Sequence, residues 1–326
     1  MTDPLRVLFA GTPEIAVFSL DALLAAPSRG EVYDLVGVLT NPDRPAGRRR
    51  EPAPSPVKRV ALEAGLPVLQ PEGLDGAARE SVAALRPDLL VVVAFGRIFG
   101  PRFMELFPKG GINLHPSLLP RHRGPSPLQA AILAGDERTG TTVQYIAPEM
   151  DSGAILAQEA IDLDPGTTVS ALHDELGRRG AVLLVDVVCR IARGTAVARE
   201  QEHDHATYCR KISKEEGTVT WRESAVELDR MVRAYTPWPG VRVRFNDQIL
   251  QITRAVALEE DRTLEDTAAP APGTVVGVDN RHGILVQTTD GLLAITHLKP
   301  QTRKEMDYRS FLNGNRDVLG AVLSSV

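Results

Sequence analysis

Asn113 and His115 stand two residues apart, and Asp151 follows in the string Pro148-Glu149-Met150-Asp151-Ser152-Gly153. Residues two apart in an extended segment point to the same face, so an amide and an imidazole would enter one cleft. Acyl transfer needs hydrogen-bond donors where a tetrahedral oxyanion develops and a group that moves protons, and this pair can supply both. A carboxylate at Asp151, on a loop at the end of another strand, would orient the imidazole and stabilise its charged form. The same residues also fit a loop-capping Asn-x-His and a turn aspartate bonded to its own backbone, and residue type alone leaves both readings open.

The elements that must position these residues can be read from periodicity. Residues 5–10 form an apolar run ended by Gly11-Thr12-Pro13, and Ile15, Phe18, Ala22, Leu23 and Ala26 then repeat at helical spacing. Strands are expected at 32–40, 67–69, 89–94, 111–114, 141–146 and 154–161, and helices at 56–64, 77–85, 129–134 and 170–191. This alternation implies an α/β domain over residues 1–192, with a doubly wound, Rossmann-like and mostly parallel sheet covered on both faces. Such a sheet binds ligands beyond the carboxyl ends of its strands, so the loops after Ala10, Ala94, Leu114 and Ile146 are expected to converge on one pocket. Pro116 and Pro120 stiffen the loop after His115.

Polar and charged residues replace the apolar periodicity at 193–207, as a linker would. Beyond it a helix at 224–234 and short strands at 241–245, 249–255, 273–278, 283–288 and 292–298 predict a small OB-like β-barrel over residues 208–326. Residues 259–272, acidic and then rich in Ala and Pro, read as a surface insertion between strands.

Composition narrows the classes. At 326 residues the chain has room for two domains. Its start lacks the basic start and the cleavage site of a signal peptide, and no apolar stretch approaches the ~20 residues that cross a bilayer. Cys189 and Cys209 have no partner at metal-binding spacing. A cytoplasmic protein without membrane contact or metal is therefore expected. The net charge of -5 argues against indiscriminate nucleic-acid binding. Acidic and basic residues balance beyond residue 206, which places the whole acidic excess before it. One segment of that acidic part runs the other way: Asn41-Pro42-Asp43-Arg44-Pro45-Ala46-Gly47-Arg48-Arg49-Arg50 has Gly and Pro for an irregular path and four arginines that suit phosphates.

The longer string Asn113-Leu114-His115-Pro116-Ser117-Leu118-Leu119-Pro120-Arg121-His122-Arg123-Gly124 is followed by Pro127, Gln129, Gly140-Thr141-Thr142 and Met150-Asp151-Ser152-Gly153. It resembles the folate-dependent formyltransferase family, whose SLLPxxRG signature lies between an Asn-x-His and an Asp-x-Gly. The resemblance implies that Asn113, His115 and Asp151 are catalytic and that Ser117, Leu118, Leu119 and Pro120 help hold the folate. It also implies 10-formyltetrahydrofolate as formyl donor, with no metal.

Further strings are similar to the branch of the family that formylates methionyl initiator tRNA for translation initiation. They are Phe9-Ala10-Gly11-Thr12-Pro13-Glu14, the arginine-rich segment, Pro54-Ser55-Pro56-Val57-Lys58, Lys211-Ile212-Ser213-Lys214-Glu215-Glu216, Trp221, and Arg233-Ala234-Tyr235-Thr236-Pro237-Trp238-Pro239-Gly240. This likeness implies methionyl initiator tRNA as partner, with Arg44, Arg48, Arg49 and Arg50 against its acceptor arm and the barrel binding tRNA farther away. A monomer is expected. An amino-sugar nucleotide formyltransferase and a nonenzymatic RNA-binding protein remain as alternatives. Phe95-Gly96-Arg97, where the family commonly has Tyr-Gly-Leu, and the long acidic 259–272 depart from the pattern.

Overall fold

The structure is a computed structural model that describes residues 3–26, 32–46, 51–258 and 270–326. They fall into two compact units: Met1–Pro127, Arg138–Leu163 and Leu172–Arg210 form one, and Leu128–Glu137, Asp164–Ala171 and Lys211–Val326 the other. Among the described residues no helix is long and apolar enough to cross a membrane.

Along the first unit run β1 (Leu5–Gly11), α1 (Glu14–Ala25), β2 (Tyr33–Leu39), β3 (Arg44–Ala46), β4 (Glu51–Ala53), α2 (Pro56–Glu63), β5 (Val68–Leu69), α3 (Gly76–Ala84), β6 (Leu89–Val93), α4 (Pro101–Met104) and β7 (Gly111–His115). Next comes α5 (Pro127–Ala134), almost wholly in the second unit, then β8 (Arg138–Tyr145), β9 (Ile155–Asp162) and α6 (Val169–Ala192). Seven strands make one sheet in the order β5-β2-β1-β6-β7-β8-β9. The five from β5 to β7 are parallel, whereas β8 runs antiparallel to β7 and β9 antiparallel to β8.

Alternate residues of β1 serve opposite faces, which explains its unbroken apolar run. Val7 and Phe9 pack with Leu20, Leu23, Leu184 and Val188 from α1 and α6. Leu8 and Ala10 pack with Leu90, Val92, Phe103 and Phe107. Helix starts follow their caps: the Ser55 side chain accepts from the Lys58 amide at α2, and the Asp75 carboxylate from the Ala78 amide at α3.

The stretch expected as a linker, 193–207, falls within the first unit. Arg199 exchanges backbone hydrogen bonds with Ile155, Gln201 is buried, and Thr207 and Cys209 bond the backbone of residues 120–123. Charge along this run disguised a segment whose backbone is held by the sheet edge and the loop after β7.

The second unit holds α7 (Ala225–Tyr235), β10 (Val241–Phe245), β11 (Gln248–Leu258), β12 (Val275–Asp279), β13 (Gly283–Gln287), β14 (Leu292–Pro300), β15 (Met306–Asp307) and α8 (Tyr308–Gly314). A reciprocal capping box of Ser224 and Glu227 starts α7. The strands pair antiparallel in the order β10-β11-β14-β13-β12, with β15 beside β14. Its two edges are joined by residues 320–324: Arg244 and Ser324 exchange hydrogen bonds of 2.8 and 2.9 Å, and the Val275 amide donates to the Ala321 carbonyl at 2.8 Å. This closes the expected barrel around an apolar interior that includes Val243, Leu250, Ile252, Ile284, Ile295 and Leu323. Of the expected insertion, residues 259–269 lie outside the described residues.

Candidate active site

β7 presents Asn113 and His115 on one face, with Asn113 half-buried and His115 only 4% exposed. The imidazole is fixed from one side, because its Nε2 lies 2.9 Å from the His122 carbonyl, which can only accept. Nε2 therefore carries a proton, and Nδ1 is turned to Asp151 Oδ2 at 3.6 Å. The Asn113 amide reaches the other carboxylate oxygen, with Nδ2 3.5 Å from Asp151 Oδ1. The three residues singled out from the sequence are thus brought together around one carboxylate.

Asp151 arrives by a different route from the one expected. Because β8 is antiparallel, Ile146 lies beside Gly111 at the start of β7, opposite the carboxyl ends of β1, β6 and β7. A loop of residues 146–154 joins β8 to β9 as a hairpin connection, which is what allows two adjacent strands to run antiparallel. It folds back towards Asn113, with Asp151 in the left-handed region at φ 52°. Gly153 packs its α-carbon so closely on the Tyr145 carbonyl that no β-carbon would fit.

Asp151 is held on all sides. Its Oδ2 accepts from the Gly124 amide at 2.8 Å, and its Oδ1 accepts from Gln144 Nε2 at 3.2 Å. Gly124, at φ 118°, can approach because it has no β-carbon, which would collide with the Cys209 carbonyl. Burial first, and then the negative charge of Asp151, push the Cys209 thiol up from its ordinary value. Arg123 is buried at 2% exposure and donates to Gln201 Oε1 through both Nε and Nη2, at 3.2 and 2.7 Å.

The loop after β7 is anchored to β8 and β9. Thr142 Oγ1 donates to the Ser117 carbonyl at 2.7 Å and accepts from the Leu119 amide at 3.2 Å, while Gln158 donates to the Leu119 carbonyl at 2.9 Å. Ser117 and Leu119 are buried, and the Ser117 hydroxyl donates to the Arg121 carbonyl at 2.6 Å. Leu118 and Pro120 are half-buried.

The arginine-rich segment is more regular than its glycine and prolines suggest, since β3 and β4 pair as an antiparallel hairpin with exposed Arg44 on its first strand. Arg48, Arg49 and Arg50 lie outside the described residues. At the hairpin root, Asp43 pairs with Lys58 at 2.6 Å and accepts from Gln70 at 2.8 Å, contacts that hold its carboxyl below the ordinary range, Gln70 contributing most. Asn41 donates to Thr12 Oγ1 and the Phe95 carbonyl, at 2.9 and 2.8 Å. The unusual Arg97 donates to the carbonyls of Pro71 and Glu72, both at 3.0 Å, which pins it to that loop.

Two family models match this chain: Formyl transferase over residues 5–188 and Formyl transferase, C-terminal domain over residues 211–316. The chain belongs to the formyl transferase family. As a member it is an enzyme of formyl transfer. The methionyl-tRNA formyltransferase of Treponema denticola is 42% identical over 323 residues, 97% of this chain and 98% of that protein. Those of Chloroflexus aggregans and Pseudomonas fluorescens are 44% and 40% identical over 311 and 329 residues, at 95% and 100% of this chain and 97% and 99% of theirs. Among solved structures, the fold is shared with the sugar 3N-formyl transferase WlaRD, crystallised in the presence of dTDP and 5-N-formyl-THF, at a TM-score of 0.65 and 17% identity over 92% of this chain and 99% of that one.

Within this formyl transferase, the residues that sequence reasoning missed are those around Asp151. Gln144 stands opposite Asn113 in the β7–β8 register, so both side chains share a face, but that register cannot be read before the strand direction is known. Gln201 is a neutral residue in a charged run, and Arg123 lies within the signature itself without a role assigned to it.

Proposed function

We infer that the chain transfers the formyl group of 10-formyltetrahydrofolate to the α-amino group of methionyl initiator tRNA. The observation that carries this is the convergence of Asn113, His115 and Asp151 in a chain matched nearly end to end by methionyl-tRNA formyltransferases. The acceptor amine attacks the formyl carbon, the carbonyl electrons move onto oxygen, and the bond to the folate nitrogen breaks as that electron pair collapses back, the amine giving up a proton and the departing nitrogen gaining one. Asn113 Nδ2 and protonated His115 Nδ1 are the donors that meet the oxyanion. With Nε2 tied to the His122 carbonyl, Nδ1 is the nitrogen through which His115 exchanges a proton, and Asp151 Oδ2 faces it. The loop of Ser117, Leu118, Leu119 and Pro120 lies directly after His115, and we assign it to the folate through the surfaces of Leu118 and Pro120 and through its backbone.

The hairpin that carries Arg44 and leads into Arg48, Arg49 and Arg50 is assigned to the acceptor arm of the tRNA, where guanidinium groups meet phosphates. The first unit is the transferase unit, and the barrel of the second is assigned to tRNA. The test supplies 10-formyltetrahydrofolate with methionyl initiator tRNA, uncharged tRNA or an amino-sugar nucleotide, and identifies the formylated amine. Formylation of the charged tRNA alone is expected. Transfer to the amino sugar instead, or to nothing, rejects this acceptor.

A further inference from the structure

Gln201 lies between the two stretches matched by the family models and is 5% exposed. Its side-chain orientation is dictated by Arg123, which can only donate, so the amide oxygen must face the guanidinium. The nitrogen end then faces three oxygens: Gln144 Oε1 at 3.0 Å, the Asp151 carbonyl at 2.9 Å and the Gly153 carbonyl at 2.7 Å. The first of these sets Gln144 in turn. With its oxygen accepting from Gln201, Gln144 must offer its nitrogen to Asp151 Oδ1, where it stands at 3.2 Å. Arg123 is itself kept in place by Tyr208 Oη at 3.0 Å and His203 Nδ1 at 2.9 Å, from the same segment as Gln201.

Two consequences converge on Asp151. Its backbone occupies the left-handed region at φ 52°, a conformation that persists only where neighbours impose it. The hydrogen bonds from Gln201 to the Asp151 and Gly153 carbonyls span the turn in question. The relay from Arg123 through Gln201 and Gln144 meanwhile directs one carboxylate oxygen, leaving the other towards His115 Nδ1. We propose that Gln201 is a positioning residue of the transfer reaction, holding Asp151 in the orientation that faces His115, so that residues 199–209 are a working part of the transferase site. This rests on the function proposed above. Gln201 acts through Asp151, so its loss lowers turnover, leaves substrate binding alone, and has no further effect once the carboxylate is gone.

The test uses the full chain, 10-formyltetrahydrofolate and methionyl initiator tRNA in single-turnover and steady-state assays. Gln201→Leu is expected to lower kcat about 10²-fold, the scale set by a small misplacement of a reacting group, with both KM values within about twofold of the parent. In an Asp151→Asn background the same change is expected to add less than about twofold. Additive losses, a shift confined to KM, or parental turnover overturn the proposal. Gln201→Glu keeps the acceptor for Arg123 and loses the donor, so it is expected to match the leucine variant. Loss of the fold in both makes Gln201 a stability residue and also overturns the proposal. Absence of transfer by the parent rejects the assigned function itself. The ¹⁵N signals of the His115 ring separate the two failures, since they shift in Gln201→Leu if Asp151 is displaced and stay unchanged if it is not.

Discussion

At the scale of residues, His115 is the constrained member of the proposed catalytic group and Asp151 the shared one. The Asp151 carboxylate receives the Gly124 amide and Gln144 and faces both Asn113 and His115, so removing it frees four groups at once. Asn113 is expected to act on the oxyanion alone. Asn113→Ala should lower turnover about 10²- to 10³-fold, the cost of one oxyanion donor, while the circular-dichroism melt stays near the parent's. Asp151→Asn keeps the shape but not the charge and is expected to lose at least as much. Parental turnover in either folded variant removes that residue from the mechanism.

Cys209 reports on the same charge. Its thiol is raised by burial and by Asp151, so thiolate forms at higher pH than in an unperturbed cysteine. In a Cys189→Ala background, the iodoacetamide rate is expected to climb at a higher pH than in a free-cysteine peptide, and Asp151→Asn should move that climb to lower pH. An unmoved profile in Asp151→Asn means that the carboxylate does not act on the thiol.

Among elements, the loop after β7 depends on a close backbone approach that tolerates no side chain. Gly124→Ala places a β-carbon against the Cys209 carbonyl and forces a non-glycine residue to φ 118°. A strained dihedral of this kind costs about 1–3 kcal/mol, and the collision adds to it. Urea denaturation should show the loss, and turnover should fall with it, because the Gly124 amide is an Asp151 partner. Unchanged stability and turnover mean that residue 209 is not held against the loop.

The β3–β4 hairpin makes the opposite case, an element anchored at its root and carrying an exposed arginine. Arg44 is exposed and has no part in the Asp43, Lys58 and Gln70 contacts. Arg44→Ala should therefore raise the KM for charged tRNA with kcat unchanged, and reduce the slope of log affinity against log salt by roughly one. An unchanged salt slope removes Arg44 from the phosphate contacts.

Over the whole molecule, what was legible in the sequence was local. β1 and β6 announced themselves as apolar runs, and α7 as a helix expected at 224–234. The signature around Asn113 and His115 was legible because its members are close in the chain. The antiparallel turn of β8 and β9, the return of residues 199–209 to Asp151, and the closure of the barrel by residues 320–324 were not. Each pairs segments far apart or depends on strand direction, which side-chain periodicity does not carry. Barrel closure can be tested directly. Leu323 is 3% exposed, lines the interior with Val243 and Ile252, and donates its amide to the Gly273 carbonyl at 2.8 Å. Leu323→Ala leaves that backbone bond but removes the side chain from the core, at about 2–5 kcal/mol for a buried leucine. Denaturation followed by Trp221 and Trp238 fluorescence, both in the second unit, should shift to lower urea, while saturated turnover at low urea holds because Asn113, His115 and Asp151 lie in the first unit. A midpoint that does not move shows that the terminal segment is not what closes the barrel.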